Sequence, residues 1–255
     1  MLAEQRFEKI MSIVEEKKSV TLQELMKLLN TSESTVRRDL TTLHRQGKLV
    51  KVFGGAVVAE SAFLVKDDEV AKRSSLNKHE KRQIARYAAS LIQNDDFVYL
   101  DAGTTTGAVI EFLNGKRIRV VTNAVTHALK LAEQGCKVYL IGGELKSATE
   151  AIVGNEALFN LKKYNFNIGF FGTNGISRQA GFTTPDVEEA MVKKSAMEHC
   201  RNCYVLADSS KFSQICPVTF GKFSEAMIIT NCITEKLFSD CENIIAIENK
   251  YKEEG

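Results

Sequence analysis

The chain has 255 residues, 44% of them apolar, with 34 Lys plus Arg against 32 Asp plus Glu. That length admits one large domain or two modest ones, and the composition excludes wholesale disorder. Residues 1–59 carry ten basic and seven acidic side chains and the rest 24 and 25, so a small basic segment precedes a near-neutral body.

No apolar run approaches the roughly 18 residues of a membrane span. The charged start MLAEQRFEKIMSIVEEKK lacks a signal-peptide core, so a cytoplasmic protein with no membrane partner is expected. A first helix is predicted over 3–17, with Phe7, Ile10, Met11 and Val14 on one face. Thr21 is a good N-cap for a second helix carrying Leu22, Leu25, Leu28 and Leu29. Asn30-Thr31 breaks it, and Thr31 or Ser32 caps a third helix that runs to about Gln46 and stops at Gly47. Residues 49–52 and 56–58 read as two strands around Phe53-Gly54-Gly55. Residues 60–77 are polar without a sustained period and read as a linker.

From Lys78 the pattern alternates. A helix over 78–93 carries Ile84, Ala88, Leu91 and Ile92. Short apolar strands are predicted at 97–101, 119–123, 137–143, 167–175, 203–208, 226–231 and 243–247, separated by helices and small-residue turns. That alternation predicts a mostly parallel sheet covered on both faces. The domains expected are a winged helix-turn-helix over 1–59, a linker over 60–77 and an α/β domain over 78–255.

In the third helix, at about 100° per residue, Val36, Leu40 and Leu43 share one side. Ser34, Arg38, Thr41 and Arg45 lie opposite, with Thr35 and Arg37 flanking them. Hydroxyls and guanidiniums in that arrangement are the groups that reach phosphates and base edges in a major groove. Asp39 points to the edge of the core, suited to an ion pair or a cap. With the second helix this makes a helix-turn-helix, and the hairpin after it is a wing that presents Lys48 and Lys51 to phosphates. The partner implied is double-stranded DNA.

In the larger domain, polar residues collect where strands end, which in open parallel sheets is where ligands bind. Asp101-Ala102-Gly103-Thr104-Thr105-Thr106 follows the first strand and opens a helix whose N–H groups and hydroxyls suit a phosphate. Asn123, Gly142-Gly143 and Asn174-Gly175 end further strands, and Lys211 follows another. Glu189 and Lys193 stand at i, i+4 on one helix, a spacing that equally describes a plain surface pair. Cys200 and Cys203 form C-x-x-C beside His199, but no second close pair completes a zinc set, so these read as ordinary buried thiols at a helix-to-strand junction. No metal, cofactor or catalytic residue is expected.

The strings RFEKIMSIV, VTLQELMKLLNTSESTVRRDLTTL and GKLVKVFGGAVV resemble the winged helix-turn-helix of the DeoR family of bacterial transcription regulators. DAGTTT, VVTN, LIGGEL, FGTNGIS, GFTTPDVEEAMVKK and LADSSKF resemble the effector domain of the same family, which is similar in fold to ribose-5-phosphate isomerase. The resemblance implies a recognition helix with Ser34, Thr35, Arg37 and Arg38 near bases. It implies a homo-oligomer, dimer or tetramer, released from operator DNA by a phosphorylated sugar. It also implies effector contacts at Asp101, Gly103, Thr104, Thr105, Asn123, Glu189, Lys193 and Lys211. One departure concerns Gly172-Thr173-Asn174-Gly175, where many members have Asp at the place of Asn174. Asn cannot act as a proton-transferring carboxylate, which tells against the alternative of a sugar-phosphate isomerase with an accessory DNA-binding domain. GTNGIS and GFTTPD resemble most the regulators of sugar operons in low-GC Gram-positive bacteria, the fructose-operon repressors nearest among them.

Overall fold

A computed structural model describes residues 3–17, 19–46, 48–52, 55–58 and 70–247. The chain divides into two compact units, residues 1–64 with 213–215 and residues 65–212 with 216–255.

The first unit opens with helix α1 (Ala3–Lys17), strand β1 (Ser19–Thr21) and helix α2 (Leu22–Leu29). Thr21 accepts from the Glu24 amide while the Glu24 carboxylate takes the Thr21 amide, a reciprocal capping box. Asn30 ends α2 in the left-handed region at φ 47°, a conformation Asn tolerates because its short side chain bonds locally. Helix α3 (Glu33–Arg45) follows, then strands β2 (Leu49–Val52) and β3 (Gly55–Val58). Ser32 is the N-cap residue of α3, although its side chain caps no backbone amide. The three strands form an antiparallel sheet in the order β1-β3-β2. Ile10, Val14, Leu25, Val36, Leu40, Leu43 and Leu49 close one core beneath the helices. The hairpin and the α2–α3 turn therefore stand where expected, and β1 is an addition. Gly47, Phe53, Gly54, Ala59 and residues 60–69 of the expected linker lie outside the described residues, as does the side chain of Arg45.

The second unit begins with helix α4 (Val70–Ser75), inside the stretch read as linker, and α5 (Lys78–Ser90). Strand β4 (Phe97–Leu100), helix α6 (Thr104–Val109), strand β5 (Arg119–Thr122), helix α7 (Val125–Glu133) and strand β6 (Lys137–Leu140) come next. The hairpin strands β7 (Glu144–Lys146) and β8 (Ala151–Val153) lead to helix α8 (Asn155–Leu161) and strand β9 (Phe166–Gly172). Strands β10 (Gly175–Ser177) and β11 (Gly181–Thr184) precede helix α9 (Val187–Glu198) and strand β12 (Cys200–Leu206). After a 3-10 turn at Ser209–Lys211 come β13 (Val218–Gly221), β14 (Met227–Thr230) and β15 (Ile244–Ala246).

Seven strands make a wholly parallel sheet in the order β15-β14-β12-β9-β4-β5-β6. Alternate side chains enter separate cores. Tyr99, Val121, Phe171, Val205 and Ile228 pack with α8 and α9 on one face. Val98, Leu100, Val120, Phe170, Leu206 and Ile229 pack with α5, α6 and α7 on the other. Burial on both faces is why the central strands read as apolar runs, while the edge strands β6 and β15 are only partly covered. The chain steps outward from β4 through β5 to β6, then returns to the other side of β4 at β9. The order therefore reverses between β4 and β9, the crevice where such sheets hold ligands.

Candidate functional site

On α3, Val36, Leu40 and Leu43 are buried while Ser34, Arg37 and Arg38 are exposed, and Thr35 and Thr41 are half-buried. The helix is anchored from behind by Arg6 of α1, whose guanidinium grips both Asp39 carboxylate oxygens at 2.7 and 3.1 Å. Asp39 thus makes the ion pair its position suggested. Thr41 and Thr42 turn their hydroxyls back onto the Arg37 and Arg38 carbonyls. Lys51 on β2 donates to Thr41 Oγ1 at 2.7 Å, tying the wing to the helix, and Lys48 is exposed. Sequence reasoning passed over Glu33, which holds Arg37 at 2.6 Å; the i, i+4 spacing was the available signal.

At the β4–β9 crevice, Asp101 follows β4 and is fully buried. Its Oδ2 receives the Gly172 amide at 2.9 Å and the Lys193 ammonium. Lys193 also donates to the Gly172 carbonyl at 3.2 Å. Asp101 Oδ1 is buried and meets no hydrogen-bond partner among the described residues. Burial pushes the Asp101 carboxyl above the ordinary aspartate range, with the Lys193 ammonium pulling the other way.

The reading of Glu189 and Lys193 as a surface pair is wrong: both are buried and they face different partners. Glu189 accepts from Lys146 at 3.0 Å and from Thr149 at 2.7 Å, while Lys146 also pairs with Asp186 at 2.9 Å. The spacing along α9 could not show that Lys193 reaches across to β4. Asn123 spends its side chain on structure. Its Oδ1 receives the Ala102 amide and the Tyr99 hydroxyl, and its Nδ2 donates to Ile152, so it fixes the turn after β4. Asn174 Oδ1 accepts from Thr184 at 3.2 Å. Thr105 is buried, and the Thr106 hydroxyl is given to the Asp101 and Gly103 carbonyls, so it does not face a ligand as expected.

Gly103 and Thr104 open onto a cavity of about 490 Å³, walled also by Lys78, Lys81 and Arg82 of α5, His127 and Lys130 of α7, and Thr149. Asp101, Thr105, Asn123, Asn174, Glu189, Lys193 and Lys211 do not line it, although Lys211 is close enough for its charge to act on Lys81. The α5 cations were missed. Their i, i+3, i+4 spacing was visible, but nothing local tied that helix to the turn after β4. His127 lies under α6, and burial lowers its pKa to about 4.

Cys200 and Cys203 are half-buried rather than buried, and their thiols donate to the Ala196 and Met197 carbonyls of α9. Among the described residues no cluster of three His, Cys, Asp or Glu could hold a metal, and no helix is long and apolar enough to cross a membrane.

Two family models match. Residues 6–62 fit a DeoR-like helix-turn-helix domain and residues 76–232 a DeoR C-terminal sensor domain. An uncharacterized HTH-type transcriptional regulator of Bacillus subtilis (strain 168), FruR, is 43% identical over 94% of this chain and 95% of its own. The lactose phosphotransferase system repressor of Staphylococcus epidermidis is 35% identical over 96% of each chain. The repressor GlcR of Bacillus subtilis (strain 168) is 30% identical over 94% of this chain and 93% of its own. A ribose 5-phosphate isomerase from Methanocaldococcus jannaschii superposes over 53% of this chain and 55% of its own, with TM-score 0.41 and 15% identity, too remote to bear on activity. The chain belongs to the DeoR family of helix-turn-helix transcriptional regulators and works as a DNA-binding regulator, not as an enzyme.

Proposed function

We propose that this regulator represses a sugar-utilisation operon of the phosphotransferase type, in the specific reading a fructose operon, and leaves its operator when a phosphorylated sugar binds. The observation that carries the reading is the buried Asp101 at the β4–β9 crevice, with one carboxylate oxygen unmet, beside a polar cavity walled by Lys78, Lys81, Arg82 and Lys130 together with Glu111, Glu133 and Glu150. A buried acceptor without a donor is costly, and a sugar hydroxyl is a donor of the right kind. The Gly103–Thr104 turn and the nearby ammoniums of Lys81 and Lys211 suit the phosphate end. The names of the relatives point the same way: one is a lactose phosphotransferase system repressor and another is FruR.

In this proposal residues 1–59 bind DNA, 60–77 connect, and 78–255 sense the effector and assemble the homo-oligomer, dimer or tetramer. Ser34, Thr35, Arg37, Arg38 and Thr41 face bases, while Arg45, Lys48 and Lys51 meet phosphates. The effector meets Gly103 and Thr104 in the cavity and reaches Asp101 and Lys211 beyond its wall; Thr105, Asn123, Asn174, Glu189 and Lys193 shape the crevice around it. A two-fold assembly reads repeated half-sites, and the effector acts by binding the released state more tightly, on a usual scale of about 1–3 kcal/mol. Lys211→Ala is the test. It should abolish release by sugar phosphate and leave operator affinity in its absence within about twofold, since a distant substitution adds little to another site. Loss of operator binding without effector would reverse the assignment of roles.

A further inference from the structure

Lys81 touches two things that a sensor has to connect. Its ammonium donates to the Arg73 carbonyl in α4, and the same side chain lines the cavity beside Gly103 and Thr104. Helix α4 has six residues, too few to persist in water without support. Arg73 lies in its last turn, and its carbonyl accepts from Lys81 across to α5. Just beyond α4 the chain is fastened separately, by Asn77 Nδ2 to Asp208 Oδ1 at 3.0 Å. Before α4 come the residues that lead back to the DNA-binding unit.

The acceptor that holds Lys81 is a neutral carbonyl, although the side chain is only 7% exposed. Lys211 and Arg73 repel the ammonium, and Asp208 and Glu80 attract it. A phosphate monoester is a much stronger acceptor for a buried ammonium than a peptide carbonyl. Its arrival at the Gly103–Thr104 turn would therefore compete directly with Arg73.

We propose that Lys81 is a latch, holding α4 through the Arg73 carbonyl in the unliganded protein and letting it go when a phosphate monoester in the cavity takes its ammonium. The proposal rests on the effector reading above and adds the step by which binding reaches the connector. Release of α4 frees residues 70–75 from the cavity wall, so effector binding is passed to the segment that leads back to the DNA-binding unit while the body keeps its fold.

The test is amide hydrogen exchange on the full chain, with fructose 1-phosphate as probe, inorganic phosphate as a second arm, and melting temperature as the independent readout of binding. In Lys81→Gln without ligand, exchange across residues 70–77 should rise about tenfold, the scale of one lost charge-assisted hydrogen bond, while β4 and β9 stay as in the wild type. Lys81→Arg should stay near the wild type. Saturating fructose 1-phosphate should produce the same rise in the wild-type chain, and the same release by inorganic phosphate would assign the trigger to the phosphate group. Unchanged exchange in Lys81→Gln overturns the latch. So does a ligand that raises the melting temperature yet leaves residues 70–77 unchanged or slower, and in that case the effector reading stands. If neither probe raises the melting temperature, the effector reading fails and the latch with it.

Discussion

A carboxylate taken out of water needs its charge met. Asp101 is 1% exposed and Lys193 5%, so their pairing is the most consequential contact at the crevice. Removing one partner leaves a buried charge, which costs about 3–5 kcal/mol. Lys193→Met should therefore destabilise the second unit on that scale in urea unfolding, and adding Asp101→Asn should recover most of the loss. His127 gives a pH signature. It titrates near 4 in the folded chain against 6.5 in the reference state, so it is neutral at pH 7 in both. As pH falls, the unfolded chain takes up a proton that the folded chain refuses, and stability is lost from about pH 6.5 down towards 4. The loss between about pH 7.5 and 5 should be about 2 kcal/mol, absent from His127→Gln. Asp101 and Lys193 were both legible as candidates, because DAGTTT and the MVKK stretch are local. Their pairing was not, since it spans 92 positions and the i, i+4 spacing offered Glu189 instead. His127 carried no signal at all, because its burial under α6 is a tertiary fact.

At the scale of elements, α3 and its wing were legible because a 13-residue amphipathic helix and a Gly-Gly hairpin each have a strong period or turn signature. Strand β1 was not, since three residues show no period. It matters all the same, because β3 pairs with it, register Thr21 to Gly55. A side-chain carbon at Gly55 would sit 2.1 Å from the Val20 carbonyl oxygen. Gly55→Ala should therefore open the β1–β3 pairing and weaken operator binding, with the melting of the second unit unchanged by calorimetry. The three-residue strands β7, β8 and β10 escaped for the same reason as β1, and β11 and β13, rich in Gly and Thr, form no apolar run. The central strands were legible because burial on both faces makes each an apolar run, and the edge strands β6 and β15 carry enough apolar residues to read the same way. On α3, Arg38→Ala should cost about 1–3 kcal/mol of operator affinity and relax specificity at the bases it reads. Lys48→Ala should instead weaken all sequences alike and lower the salt slope by about one. Anisotropy titrations over a range of salt separate the two behaviours.

The whole molecule joins a basic reading head to a sensor whose crevice lies where the strand order reverses. Family membership fixes the two roles; the crevice geometry adds an unmet buried acceptor and a charged cavity to the sensing half. Helix α4, inside the stretch read as linker, was not legible, because a six-residue helix draws its stability from the surface it docks on rather than from its own sequence. The measurement that tests the central claim most directly is labelled-DNA anisotropy on the promoter fragment of the adjacent operon, with a panel of sugar phosphates and their unphosphorylated sugars. The account predicts specific binding that one sugar phosphate releases and its free sugar does not. Specific binding that no sugar phosphate alters would contradict it.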